Sequence, residues 1–247
     1  MTVYNEADFI EYAIRSCLPY VDHLVIVEGA YKQVIALGKP ERSSDGTLEI
    51  IEKYRNNPNV HIIFANEKTD KDQRNVGLQK IKELNPDGWM LVVDGDEIYD
   101  PSTFSMIKSC ANTMEKNNKY AVYFKSLTFV NNANFYCEQE FPRLFRITPG
   151  AEFCNDNFLE WSDKNLKWGY PHVVKIPYIR YYHFSFCKGS EKFLEKRNWW
   201  MNRGLGKDFD YGWKLDENGQ ITDDNHNIYE HTGKFPAVMK DHPLFKK

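Results

Sequence analysis

Apolar positions in the first hundred residues alternate between two spacings. "MTVYN" is a short strand-like run. Phe9, Ile10, Ala13, Ile14, Cys17 and Leu18 then recur at helical intervals, which predicts an amphipathic helix. "HLVIVE" is almost continuously apolar and fits a strand covered on both faces. "SSDGTLEIIEKY" opens a helix with Asp45 at the N-cap position and Leu48, Ile51 and Tyr54 on one side. "VHIIFAN", "DKDQRNVGLQKIKEL" and "WMLVVD" continue the series as strand, helix and fourth strand. Strands separated by helices predict an α/β fold, with a mostly parallel sheet and helices on both faces.

The pattern changes after Pro101. One more helix runs to about Asn117. "KYAVYFKSLTFV", "PRLFRIT" and "HVVKIPYIRYYHFSF" then read as strands with few helices between them, so a mixed, partly antiparallel second half is expected. "SEKFLEKRNWWMNRGL" is a late helix, and the tail from Asp223 is polar and irregular. There is no internal repeat or low-complexity linker. Residues 1–247 therefore read as one domain, with halves at 1–100 and 101–247.

Composition narrows the class. The formal net charge of −3 provides no general attraction to nucleic acid, and no nucleic-acid partner is expected. Cys17, Cys110, Cys137, Cys154 and Cys187 are odd in number and form no C-x-x-C, which fits a reducing compartment. No apolar run approaches the roughly 18 residues of a membrane span, and no secretory signal is visible. A cytoplasmic chain is expected. Aromatics make up 15 % of the residues, enough to line a cleft as well as fill a core.

The candidate chemistry lies in "WMLVVDGDEIYDP". Asp94 and Asp96 follow a strand, where open α/β sheets bind their ligands. Paired carboxylates suit a hard divalent cation that can bridge phosphate oxygens. Gly95 lets the backbone turn so that both acids can face one point. An ordinary Asp-Gly turn is the other reading. An EF-hand loop starting at Asp94 needs glycine sixth and an acid twelfth, but those positions hold Tyr99 and Ser105. An aspartyl-nucleophile phosphatase wants Thr or Val where Ile98 stands, and wants its acids on the first strand. Neither G-x-G-x-x-G after the first strand nor a Walker A loop is present.

Four blocks together resemble a family 2-type glycosyltransferase of the GT-A (Rossmann-like) fold: "VYNEADFIEYAIRSCLPYVDHLVIVEGA", "SSDGTLEIIEKY", "DQRNVGLQKI" and "MLVVDGDEIY". Looser matches follow in "FPRLFRI", "YYHFSF" and "HTGKFP". The resemblance implies a nucleotide-sugar donor, usually a UDP-sugar, bound with Mn2+ or Mg2+. It implies transfer with inversion to a glycan, lipid-linked or protein acceptor. Asp94-Gly95-Asp96 matches the family's Asp-x-Asp motif, with Asp94 near ribose and metal and Asp96 on the metal. Val3, Tyr4 and Asn5 match the strand end that lines the nucleotide cleft. Glu28 matches the acid that contacts the base; a carboxylate accepts uracil N3–H, which cytosine lacks. Arg74 and Asn75 match an Arg-Asn pair that approaches the donor. His183 matches a late histidine that completes the metal shell and would have to reach Asp96, with His172 and His231 as weaker candidates. The catalytic base is sought among Glu152, Asp156, Glu160 and Asp163, with Asp156 best placed by the match.

Two departures stand out. "GAYKQVIALGKPER" lengthens the usual short link between Glu28 and the Asp45 block. Only four residues precede Asn5, so a clipped first strand, or a native start upstream of Met1, is expected. Arg197, Trp199, Trp200 and Arg203 form a candidate acceptor shelf or peripheral membrane contact, or the buried side of their helix. Two other classes stay open: a non-catalytic nucleotide-sugar binding module, and a metal-dependent phosphohydrolase.

Overall fold

Three parallel strands form the N-terminal sheet, in the order β1-β2-β3: β1 (Thr2–Val3), β2 (Leu24–Glu28) and β3 (Val60–Phe64). All five residues of β2 are buried, because the strand is central and covered on both faces. The computed structural model describes residues 1–169, 171–200, 213–223 and 225–245. Helix α1 (Ile10–Cys17) buries Ile10, Ala13, Ile14 and Cys17, the stripe set by its sequence period. Its core includes Ile26 of β2 and Ile51 of α3 (Thr47–Glu52). A short helix, α2 (Lys32–Ile35), lies in the insertion after β2.

Helix α4 (Asp70–Leu84) spans the predicted segment. Thr69 caps it, accepting from Asp72 N–H at 3.3 Å and donating to Asp72 Oδ2 at 2.7 Å. Helix α5 (Pro101–Lys116) starts with Pro101 after Asp100, whose carboxylate accepts from Ser102 N–H at 2.9 Å. Asp45 does not sit at the N-cap itself. Gly46 does, with φ of 101°, and Asp45 accepts from Thr47 N–H at 3.1 Å across it.

The second sheet is mixed. Its order is β13-β7-β6-β10-β5, with β4 (Trp89–Leu91) also paired to β7 (Phe135–Arg146). Long β6 (Ala121–Val130) runs parallel to β10 (Val173–Phe186) and antiparallel to β7. Two-residue β5 (Glu97–Ile98) is antiparallel to β10, opposing Glu97 to His183. The fourth strand thus departs from the simple parallel series. β4 pairs antiparallel with β7, a strand from the second half that no pattern near residue 90 could announce.

β8 (Ala151–Phe153) and β9 (Leu159–Trp161) make a small hairpin, and α6 (Ser190–Trp200) follows β10. β11 (Trp213–Leu215) pairs with β12 (Ile221–Asp223). The tail is better anchored than its polar composition suggests. β13 (Ile228–Glu230) adds to β7, Phe235 packs 5.2 Å from Phe129 between ring centres, and Met239 is fully buried. A few aromatic anchors hold a polar segment when each buries a large area. The α/β expectation holds, with parallel strands and flanking helices. Among the described residues no helix is long and apolar enough to cross a membrane.

Candidate active site

The Asp94-Gly95-Asp96 turn joins β4 to β5, two strands of the mixed sheet that pair with different partners, β7 and β10. Val92 N–H still bonds to Arg143 O at 2.8 Å, after which the chain turns and re-enters as β5. Gly95 lies close against Glu6. A Cβ there would lie 3.0 Å from Glu6 Cγ and 3.1 Å from Glu6 Cβ, tighter than ordinary contact. The loop after β1 therefore packs directly on the turn.

The two acids have different surroundings. Asp94 accepts from Arg74 at 3.0 Å on Oδ1 and from Arg143 at 2.9 Å on Oδ2. Burial opposes its ionisation, but the two guanidinium groups outweigh this and hold its carboxyl well below the usual range. Arg74 also pairs with Asp70 at 3.2 Å, and Asp70 accepts from the Tyr31 hydroxyl at 2.9 Å. Arg143 reaches on to Glu97, whose side chain is fully buried. Burial pushes the Glu97 pKa up, against the pull of Arg143. Asp70, Arg74, Asp94, Arg143 and Glu97 thus form a chain of alternating charge.

Asp96 faces the other way. Its Oδ2 accepts from Lys188 Nζ at 2.7 Å, and its Oδ1 lies 3.4 Å from His183 Nε2. Lys188 also pairs with Glu6. Burial works against the Lys188 ammonium, but Asp96 and Glu6 outweigh it and raise its pKa. On the far side of the imidazole, His183 Nδ1 makes a long 3.5 Å contact with Thr128 Oγ1, which itself donates to Gln139 Oε1 at 2.8 Å. Two ligands bound to one ion at about 2.0–2.2 Å stand roughly 3 to 4 Å apart. Asp96 Oδ1 and His183 Nε2 fit that spacing, and the contact behind Nδ1 is the kind that orients a ligand histidine.

The other expected residues lie in three groups. At the strand ends, Tyr4 donates to Pro40 O at 2.8 Å. Asn5, at a positive φ of 55°, joins the following loop: its N–H donates to Ser43 Oγ at 2.8 Å and its Oδ1 accepts from Ser44 N–H at 2.9 Å. Val3 packs in the core beside the turn. Glu28 is fully buried, accepts from Ser43 N–H at 2.8 Å, and lies 3.7 Å from Arg42. Its Oε2 has no hydrogen-bond partner among the described residues. The insertion therefore folds back over the strand ends, with Asn66 bonding both Ala30 O and Glu41 O.

Asn75 belongs to the second group and serves as a clamp. Its amide accepts from Phe153 N–H at 2.8 Å and donates to Phe153 O at 3.1 Å, fixing β8 to α4. This places the 154–158 loop beside the start of α4. The charge of Asp156 acts on Asp70, next to Arg74. Glu152 and Asp163 instead act on Lys82, near the opposite end of α4. Asp163 is also held by Thr148 at 2.6 Å and by Gly150 N–H at 3.1 Å. Glu160 opposes Glu152 in the hairpin.

The third group is remote. His172 precedes β10, at the end opposite His183. His231 sits in a cage of Phe129, Tyr136, Tyr182 and Phe235, and burial lowers its pKa. Tyr182 and His183 are neighbours on β10, so they point to opposite faces, and His231 lies on the face away from Asp96. Arg203 falls outside the described residues, as do the side chains of Arg197, Trp199 and Trp200.

The family model for glycosyl transferase family 2 matches residues 1–189. No curated protein matches the chain. Among solved structures, the chain is similar to TarS of S. aureus. A structure of TarS 1–349 is 17% identical over 78% of this chain and 60% of that one, with a TM-score of 0.47. The same segment in complex with UDP is 21% identical over 52% of this chain and 34% of that one, with a TM-score of 0.37. The chain covers less than two thirds of either.

Proposed function

This chain belongs to glycosyl transferase family 2, and on that footing we propose that it transfers a sugar from a nucleotide-sugar, a UDP-sugar, to an acceptor hydroxyl with inversion. The reading rests on one observation above the rest: Asp96 and His183, far apart in sequence, meet at 3.4 Å beside the mouth of the parallel sheet. Asp96 Oδ1 and His183 Nε2 would hold Mn2+ or Mg2+. The ion would supply positive charge for the departing diphosphate. Asp94, already neutralised by Arg74 and Arg143, would act toward the ribose side while its two arginines hold its position.

Residues 1–100 would hold the donor, and the second half of the single domain would present the acceptor. The acceptor oxygen attacks the anomeric carbon, and the bond from that carbon to the β-phosphate oxygen breaks. The hydroxyl proton passes to a carboxylate. Asp156 is favoured for that role because its charge acts at the Arg74 end of α4, whereas Glu152 and Asp163 act at the other. Glu28 Oε2, buried without a hydrogen-bond partner among the described residues, suits the N3–H of uracil. Admitting a base to it requires the 41–43 segment to lift.

A thermal-shift panel of nucleoside diphosphates with Mn2+ or EDTA tests the donor site, because a ligand that binds only the folded chain stabilises it by RT ln(1 + [L]/Kd). UDP should stabilise more than CDP, and Glu28→Gln should narrow the gap. A wild-type preference for GDP or ADP removes Glu28 from the site. UDP release that depends on an added acceptor separates a transferase from a silent binding module. Release of inorganic phosphate without acceptor would indicate a phosphohydrolase.

A further inference from the structure

Among the described residues, Lys188 is a group beside Asp96 that the chemistry above leaves without a task. Its ammonium lies 2.7 Å from Asp96 Oδ2 and also pairs with Glu6. The two side chains are little exposed, 10% for Lys188 and 5% for Asp96, so solvent screens their attraction weakly. Three separate segments meet here: the loop after β1, the Asp-Gly-Asp turn, and the chain just past β10. Each is fixed on its own side. Glu6 N–H donates to Thr47 Oγ1 at 2.7 Å, Gly95 lets Glu6 lie against the turn, and Cys187 N–H bonds Phe184 O at 3.0 Å. The ammonium is therefore held where it is, as a built element of the site.

We propose that Lys188 is a resident counter-cation that competes with the divalent ion for Asp96 and keeps the nucleotide-free site weak for metal. This rests on the reading of Asp96 and His183 as metal ligands. A carboxylate with a fixed ammonium on one oxygen attracts a second cation less at the other, and two positive charges sharing that carboxylate repel each other. Glu6 matters because it shares the ammonium and holds it at the turn. The consequence is an ion that binds well only when a diphosphate brings further negative charge to offset Lys188. Removing the Lys188 charge should therefore raise the affinity for a bare divalent ion, where loss of a merely structural contact would lower it.

The test uses Mn2+ alone as the probe and the full chain without nucleotide, with free Mn2+ read by electron paramagnetic resonance. Lys188→Met should bind Mn2+ at least about tenfold more tightly than wild type, the smallest effect one adjacent opposite charge exerts on a carboxylate's proton affinity. Lys188→Arg should stay as weak as wild type, since it keeps the charge. Adding Asp96→Asn to Lys188→Met should abolish the gain. Equal or weaker Mn2+ binding by Lys188→Met overturns the proposal. Should Lys188→Met fail to fold, Glu6→Gln/Lys188→Met compared with Glu6→Gln gives the same contrast without the Glu6 carboxylate that pairs with Lys188. UDP binding by the wild type in EDTA and in Mn2+ is measured alongside. No UDP binding in either would sink the donor-site reading, while the Mn2+ comparison would still decide the role of Lys188.

Discussion

Arg143 is 2% exposed and donates to two carboxylates at once, Asp94 and Glu97. Its guanidinium also lies 5.2 Å from the centre of the Phe141 ring and 5.6 Å from that of Tyr181. A planar fork can serve two carboxylates and two rings together, and a lysine cannot. Removing one partner of a buried pair costs more than the pair contributes, because a charge is left without compensation. Arg143→Met should therefore lower stability by about 3–5 kcal/mol. Adding Glu97→Gln should restore much of the loss, since Glu97 is the partner stranded deepest. Urea denaturation of both single mutants and the double mutant measures the coupling. A loss within about 0.5 kcal/mol for Arg143→Met, the range of ordinary surface changes, would show that the cluster is not held as described. Arg143 was also the hardest of these residues to find in the sequence. "FPRLFRI" has two arginines, and strand alternation should sort them by face. It cannot, because Pro142, Arg143, Leu144 and Phe145 are all buried where β7 is covered on both sides. Lys188 gave even less signal: "CKGS" reads as a solvated loop, and its partners lie 182 and 92 positions away.

At the scale of elements, local pattern performed well wherever an element answers to its own sequence. The predicted extent of α4 is the observed one, because its cap and its polar face are encoded within it. The path of β4 was not legible, because its partner β7 lies about fifty residues downstream. The same holds for Asn75. In sequence it looked like half of an Arg-Asn pair aimed at the donor, yet in the structure it clamps β8 through both polar atoms of its amide. Asn75→Ala removes two hydrogen bonds, each worth about 1 kcal/mol net. It should cost about 1–3 kcal/mol and act locally. Amide exchange should quicken across residues 151–161 while protection in β2 holds, since that strand's ladder is independent of the hairpin. If Asp156 is the base, acceptor-dependent UDP release should fall more than UDP affinity. Uniformly faster exchange across the chain would argue against a local clamp.

The whole molecule depends on late segments returning to the first half. β10 carries His183 to the turn by pairing with β5 and β6 together, and the tail closes over α1 through His242. Such long-range pairings leave no local trace, so the meeting of His183 with Asp96 is an expectation of the family resemblance and not of the pattern around either residue. His242 is 5% exposed and stacks on Phe9 at 4.6 Å between ring centres. Its Nε2–H donates to Asp8 O at 2.8 Å, and its Nδ1 accepts from Leu244 N–H at 3.0 Å. The bond from Leu244 requires the neutral ring, because protonated Nδ1 cannot accept, whereas Nε2–H donates in either state. Burial lowers the His242 pKa, with Asp8 offsetting part of the effect. The folded value therefore lies below the unfolded one, near 6.5. Between the two values the unfolded chain binds more protons, so stability rises with pH there. The contribution is complete above about pH 6.5 and is lost as pH falls through the folded pKa. His231 and His61 are shifted the same way, so His242 accounts for only part of the slope. His242→Gln keeps a donor for Asp8 O and cannot titrate. Urea midpoints measured from pH 7.5 down to 5 should fall for the wild type and fall less steeply for His242→Gln. Parallel curves offset by a constant would mean that the ring fills space but does not link the tail's closure to pH.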